Sequence, residues 1–173
     1  RKNYMPSSLT TFFSNWEAIL LKYAEACETN NIPILCLSCE TLAIFDNQYI
    51  KYWETIVGDI KSKYPNLLLT VAHNGWMDPS KTDIFGIVDL IGINWYPTYL
   101  ESVPADDTSI PSSSELMRYA LGNFQSYLQK VKETYGKLIY FTETGVEPSL
   151  PSLMNLTSSN SGNDYAVTSA VIN

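Results

Sequence analysis

The stretch Ile32-Pro-Ile-Leu-Cys-Leu-Ser-Cys-Glu40 is an apolar run that follows two asparagines and ends in a carboxylate. Runs of this kind, bounded by turn residues, are typical of strands buried on both faces of a parallel sheet. Three more such runs are predicted as strands, and they cover Leu67–Ala72, Ile87–Tyr96 and Lys137–Glu143. The sequence therefore predicts four parallel strands, adjacent in chain order, that end near Glu40, Asn74, Tyr96 and Glu143.

Segments of helical period separate these strands. Predicted helices cover residues 10 to 29, 47 to 63 and 115 to 135, the first starting near Ser8 or Thr10, and Gly136 stands where a C-terminal cap is expected. Alternating helices and strands indicate an α/β protein, either a doubly wound sheet or part of a (β/α)8 barrel. Because no glycine-rich nucleotide-binding motif follows any strand, the doubly wound alternative lacks its usual signature.

Size and composition reduce the number of possible functions. The 173 residues suffice for one domain, with residues 147–164 a Ser-, Asn- and Pro-rich loop and 164–172 a further helix. A net charge of −7 without clustered Lys or Arg excludes a nucleic-acid partner, and no apolar run is long enough for a membrane span. The 12 Tyr and 4 Trp suit sugar binding, protein interfaces or ordinary core packing.

Two of the three cysteines, Cys36 and Cys39, have C-x-x-C spacing. The third, Cys27, lies on a predicted helix. A structural zinc site needs four ligands, and His73 is the only histidine. We therefore expect buried thiols, no metal and no cofactor.

Polar groups follow each predicted strand, where parallel α/β proteins carry their functional side chains. The candidates are Glu40, Asn74, Trp76, Asn94, Trp95, Tyr96 and Glu143. Two carboxyl groups at one mouth are what retaining glycoside hydrolysis requires, and we expect them roughly 4.5–6 Å apart. In the alternative interpretation, each glutamate only caps the following helix or pairs with a lysine.

Several stretches resemble clan A glycoside hydrolases, most closely the family 113 β-mannanase type. The resemblance covers roughly residues 9–147, and its most specific pieces are Val88-Asp-Leu-Ile-Gly-Ile-Asn-Trp-Tyr-Pro97 and Ile139-Tyr-Phe-Thr-Glu-Thr-Gly145. It implies a (β/α)8 barrel of which this chain supplies strands 4 to 7. It also implies that Glu40 is the acid/base and Glu143 the nucleophile, with Tyr96 hydrogen-bonded to Glu143.

Under the same resemblance Asn74 and Trp76 line the sugar site, and Asn94 and Trp95 are expected to border the same cavity. The chain departs from many clan A enzymes in carrying Cys39, where they have Asn directly before the acid/base. A complete barrel takes about 250 residues, and strands 1 to 3 and 8 have no counterpart here. Because the chain begins with Arg1 instead of Met, we expect a processed, trimmed or excised piece.

Two functions are compatible with these features. The first is a retaining hydrolase of a β-linked polysaccharide. The second is a non-catalytic carbohydrate-recognition or structural barrel of a larger assembly, since phage tail and gene-transfer-agent hub proteins contain similar barrels. The hydrolase and a carbohydrate-recognition barrel imply an oligo- or polysaccharide partner. Every alternative implies the rest of the barrel or a partner chain over the open sheet edges. An extracellular or virion-associated location is favoured, and Asn155 begins a glycosylation triplet.

Overall fold

The computed structural model of the chain describes residues 4–74, 82–102, 105–146 and 150–153. Helices and strands alternate within them, in the order α1 Leu9–Thr29, β1 Ile34–Cys39, α2 Leu42–Phe45, α3 Ile50–Lys63, β2 Leu68–Asn74, α4 Ile84–Ile87, β3 Ile91–Trp95, α5 Ser113–Tyr135 and β4 Ile139–Thr144. Short 3-10 helices cover Asn47–Tyr49, Asp107–Ser109 and Leu150–Leu153. The predicted helix at 164–172 lies outside the described residues.

The four strands form one parallel sheet in the order β1-β2-β3-β4, as predicted. Ile34 of β1 is paired with Leu68 of β2, and Asn74 of β2 is paired with Asn94 of β3. Two compact units make up the chain, residues 1–94 with 131–142 and residues 95–130 with 143–173. Most of the sheet therefore belongs to the first unit.

Helix α1 starts where the sequence predicts. The Ser8 hydroxyl accepts a hydrogen bond from the backbone N–H of Thr11, which satisfies one of the donors left open at a helix start. The apolar face packs on β1 and α3, where Phe13 stacks on Tyr52 with 4.5 Å between ring centroids. Helix α5 ends where the sequence predicts. Gly136, directly after it, adopts a φ of 65°, and its backbone N–H donates to the carbonyl of Lys132. This confirms the predicted C-terminal cap.

The third predicted strand begins too early. Residues 84–87 form helix α4, and the strand starts only at Ile91. Two side chains, those of Asp89 and Lys137, explain the difference because they bond backbone groups distant from them in sequence. The Asp89 carboxylate accepts the backbone N–H of Leu69 at 2.7 Å, and the Lys137 ammonium donates to the carbonyls of Phe85, Gly86 and Val88. These bonds hold the chain in a turn before β3.

The expectation of buried cysteines is right for Cys27 and wrong for Cys36 and Cys39, which are exposed. Both exposed residues lie on β1, a strand at one edge of the sheet, and the β1–β2 register is irregular between them. The three cysteines form no disulfide within the described part of the chain.

No helix among the residues described above combines the length and the apolar character that crossing a membrane takes.

The second unit is organised around aromatic side chains. Trp95 stacks on Phe124 of α5 at 5.6 Å between centroids, and Phe124 stacks on Tyr127 at 4.8 Å. The backbone N–H groups of Tyr99 and Leu100 both donate to the carbonyl of Leu153. The loop after β3 is thereby tied to the Leu150–Leu153 turn.

Gly92 lies where three strands crowd together. A Cβ at this position would overlap the carbonyl oxygen of Val71 and would lie 2.6 Å from the Thr70 hydroxyl and 2.9 Å from a methyl carbon of Thr142. Only glycine therefore allows this packing.

We predict that Gly92→Ala lowers the free energy of unfolding by more than about 3 kcal/mol, because the overlap involves backbone that cannot give way. The matched control is Gly58→Ala at an exposed position of helix α3, where a Cβ meets nothing within 4 Å. It should raise stability by up to about 1 kcal/mol. Urea unfolding of both variants checks the pair, and equal effects would contradict the close packing at Gly92.

His73 is fully buried between the rings of Phe45 and Phe85. Its Nδ1 lies 2.9 Å from the carbonyl oxygen of Asn74, and its Nε2 has no hydrogen-bond partner among the described residues. Burial lowers the His73 pKa below its ordinary value of 6.5, against smaller opposing contributions from the Asn74 carbonyl and the Glu40 charge.

Stability should therefore fall as the pH falls below 6.5, because the unfolded chain takes up a proton that the folded chain refuses until its own lower pKa is reached. Above pH 6.5 this contribution is fully present and constant. Urea midpoints between pH 7.5 and 5.5 test the effect, with His73→Phe as the control that removes it. The same pH slope in both proteins would rule out His73 as its source.

Candidate active site

Glu40 stands directly after β1, in a strained backbone conformation. Its φ of 47° lies in the left-handed region that non-glycine residues seldom adopt. The backbone N–H of Glu40 donates to the carbonyl of Ala72 at 2.8 Å, so β2 holds this turn in place. The half-buried side chain consequently leaves the strand at a direction set by the sheet.

The Glu40 carboxyl group is hydrogen-bonded to the end of β3. Nδ2 of Asn94 donates to Oε1 of Glu40 at 3.2 Å and also lies 3.7 Å from Sγ of Cys39. On the other side of the amide, the Thr142 hydroxyl donates to Oδ1 of Asn94 at 2.6 Å. Residues after β1, on β3 and on β4 thus form one hydrogen-bonded chain that ends on a carboxyl oxygen.

Glu143 lies on β4, and its carboxyl group accepts a hydrogen bond from a phenol of the second unit. The Tyr96 hydroxyl donates to Oε2 of Glu143 at 2.9 Å, which confirms the predicted hydrogen bond between them. Both side chains are exposed, Tyr96 to 41%. A neutral donor therefore holds this carboxylate at the surface of the unit, where a substrate could reach it.

The remaining candidates are placed differently. Asn74 is half-buried at the end of β2, whereas Trp95 is only 5% exposed and packs on α5. Trp76 lies outside the described residues. The predicted contacts of these three residues with a sugar stay predictions.

Thr142 is the residue that sequence reasoning missed. It belongs to the stretch Phe141-Thr-Glu-Thr-Gly145, in which only Glu143 was predicted as a site residue. Its bond to Asn94 depends on the register between β3 and β4, which no local pattern encodes. A hydroxyl next to a strand-end glutamate was the only signal available.

Each of the two glutamates thus has a chemically distinct setting. An amide donor orients the Glu40 carboxyl, as suits a group that gives and takes a proton. A phenol O–H donates to Oε2 of Glu143 and orients that carboxyl group, as a carboxylate nucleophile requires.

Solved structures with the same fold are glycoside hydrolases. A GH113 β-1,4-mannanase matches with a TM-score of 0.65 at 15% identity, over 90% of this chain and 43% of its own. The GH113 β-mannanase AaManA from Alicyclobacillus acidocaldarius, in complex with ManMIm, matches with a TM-score of 0.65 at 18% identity, over 98% and 51% of the two chains. The β-glucuronidase of Ruminococcus gnavus gives 0.53 at 18% identity, over 87% and 26%.

The chain therefore spans about half the length of the solved mannanases that it matches. A search of curated protein sequences finds no significant match. The model of one family, described as Glycoside Hydrolase Family 113, matches residues 2–171. Because that match covers almost the entire chain, this protein belongs to Glycoside Hydrolase Family 113 and is a partial (β/α)8 barrel.

Proposed function

We propose that the protein is a retaining glycoside hydrolase that cleaves a β-linked polysaccharide of the mannan type. The observation that carries the proposal is the family match across residues 2–171, which includes both strand-end glutamates. The separate hydrogen bonds of Glu40 and Glu143 support different roles for the two carboxyl groups.

In the first step of the proposed mechanism, Glu143 attacks the anomeric carbon and Glu40 protonates the departing oxygen. A covalent glycosyl–enzyme intermediate forms, and the leaving sugar departs with the proton from Glu40. The Tyr96 phenol supports this step because it orients the carboxylate through one of its two oxygens.

In the second step Glu40 removes a proton from water, and the water attacks the same carbon from the face that the leaving group vacated. The bond to Glu143 breaks, and the sugar is released with its original configuration. The mechanism requires a carboxyl separation of about 5–5.5 Å.

The substrate proposal follows from the family and from the side chains near the strand ends. Solved members are described as β-1,4-mannanases, so a β-1,4-linked mannan is the first substrate to test. In this proposal Asn74 bonds sugar hydroxyls, and Trp76 supplies an apolar face for a pyranose ring. Trp95 supports the site from below, because its ring is buried against Phe124.

The proposal also requires cover for the open edges of the sheet. Beyond β3, Leu138, Tyr140 and Phe141 are exposed, Leu138 to 76%. At the β1 edge, an apolar groove of about 540 Å³ lies between α1 and β1, and Trp16, Ile19, Tyr23, Leu35 and Leu37 line it. We propose that the remaining barrel strands, in the same polypeptide or in a partner chain, cover both edges.

We predict that the two glutamate variants of the intact protein respond differently to azide. Glu143→Ala should lose turnover and regain part of it with azide, which enters the space of the missing carboxylate and gives a glycosyl azide of inverted configuration. Glu40→Ala should lose about 10²–10⁴-fold on unactivated mannan but little on substrates with good leaving groups. There azide should give a product of retained configuration. Kinetics and NMR of the products provide both readouts.

Glu25→Ala is the control, because Glu25 is an exposed glutamate on α1 away from every strand end. It should match the wild type in rate and product. Oligosaccharide binding without hydrolysis by the intact protein would overturn the proposal and favour a carbohydrate-recognition barrel.

A further inference from the structure

We infer that Asn94 is a positioning residue for Glu40 and that Thr142 anchors its amide. The inference rests on the proposed function and deepens it, since it concerns how the acid/base is aimed. It gives Asn94 a role different from the sugar contact that the sequence predicted.

The Asn94 amide is buried and hydrogen-bonded at both ends. Its side chain is 3% exposed, and its oxygen accepts from the Thr142 hydroxyl at 2.6 Å. One N–H is directed to Oε1 of Glu40 at 3.2 Å, while the sulfur of Cys39 lies 3.7 Å from the same nitrogen. These three neighbours engage both the nitrogen and the oxygen of the amide within the protein, which leaves little of it accessible to a sugar.

The orientation of the amide is determined by its partners. An ionised carboxylate only accepts hydrogen bonds, so nitrogen and not oxygen must face Glu40. Thr142 holds the opposite end of the amide through a hydroxyl that donates to Oδ1. Loss of that hydroxyl would leave a buried amide oxygen unsatisfied and the amide free to turn.

This arrangement distinguishes the two oxygens of Glu40. The N–H donor at Oε1 bonds a carbonyl or carboxylate oxygen more strongly than the hydroxyl oxygen of a carboxylic acid. The acid form that carries its proton on Oε2 is therefore favoured. Asn94 thus selects the oxygen that delivers the proton to the leaving group.

The test measures how the rate depends on the leaving group. It uses the intact protein and aryl β-mannosides of graded leaving-group acidity, together with a β-1,4-mannan oligosaccharide. The enzymes are wild type, Asn94→Ala, Thr142→Val and Thr142→Ser, with Glu40→Ala as the reference for a lost acid.

Asn94→Ala should lower kcat/KM by about 10–100-fold for the oligosaccharide and poor leaving groups, a fraction of a full general-acid effect, and by much less for dinitrophenyl mannoside. Thr142→Val should shift the dependence in the same direction by a smaller amount. Thr142→Ser keeps the hydroxyl and should behave as the wild type.

An equal loss for every leaving group in Asn94→Ala would overturn the inference, because a merely structural residue has that effect. If Asn94→Ala does not fold, the comparison of Thr142→Val with Thr142→Ser decides. A steeper leaving-group dependence in the valine variant alone supports the inference, and identical dependence in the two overturns it. If Glu40→Ala itself shows no leaving-group dependence, the proposed function fails instead.

Discussion

The close approach of β2 to β3 at Gly92 is the constraint on which the site depends. A side chain at Gly92 would overlap the Val71 carbonyl, so the strands reach this distance only because glycine is present. Two residues further along β3, Asn94 pairs with Asn74 and bonds Glu40. Packing in the middle of the sheet is therefore linked directly to the position of the Glu40 carboxyl group, the proposed acid/base. The Thr142 methyl that crowds Gly92 belongs to the side chain whose hydroxyl holds Asn94.

Neutral donors hold both of the proposed catalytic glutamates. An amide bonds Glu40 and a phenol bonds Glu143, and the two donors, Asn94 and Tyr96, stand two residues apart at the end of β3. A lysine or arginine in either place would favour the charged form of the carboxyl group strongly. An uncharged donor aims the group and allows it to exchange a proton or a glycosyl bond during the reaction.

Features with a local signature were predictable from the sequence. The strand ends near Glu40 and Glu143 and the start of α1 near Ser8 were all correct. The bond from Tyr96 to Glu143 was also correct, but it came from the family resemblance and not from a local pattern. The errors concern residues whose setting depends on distant parts of the chain. Asp89 lies in a turn because its carboxylate accepts the backbone N–H of Leu69. Cys36 is exposed because β1 is an edge strand. Thr142 bonds Asn94 only because β4 has the right register with β3. None of these pairings leaves a periodic pattern.

The proposed mechanism requires that Glu143 form a covalent bond to the sugar during turnover. Treatment of the intact protein with an activated 2-deoxy-2-fluoro mannoside, followed by peptide mapping with mass spectrometry, tests this most directly. Because the fluorine slows the release of the intermediate more than its formation, we expect one sugar on Glu143 and loss of activity in proportion to labelling. Labelling of another residue, or continued hydrolysis of mannan without any labelled peptide, would contradict it.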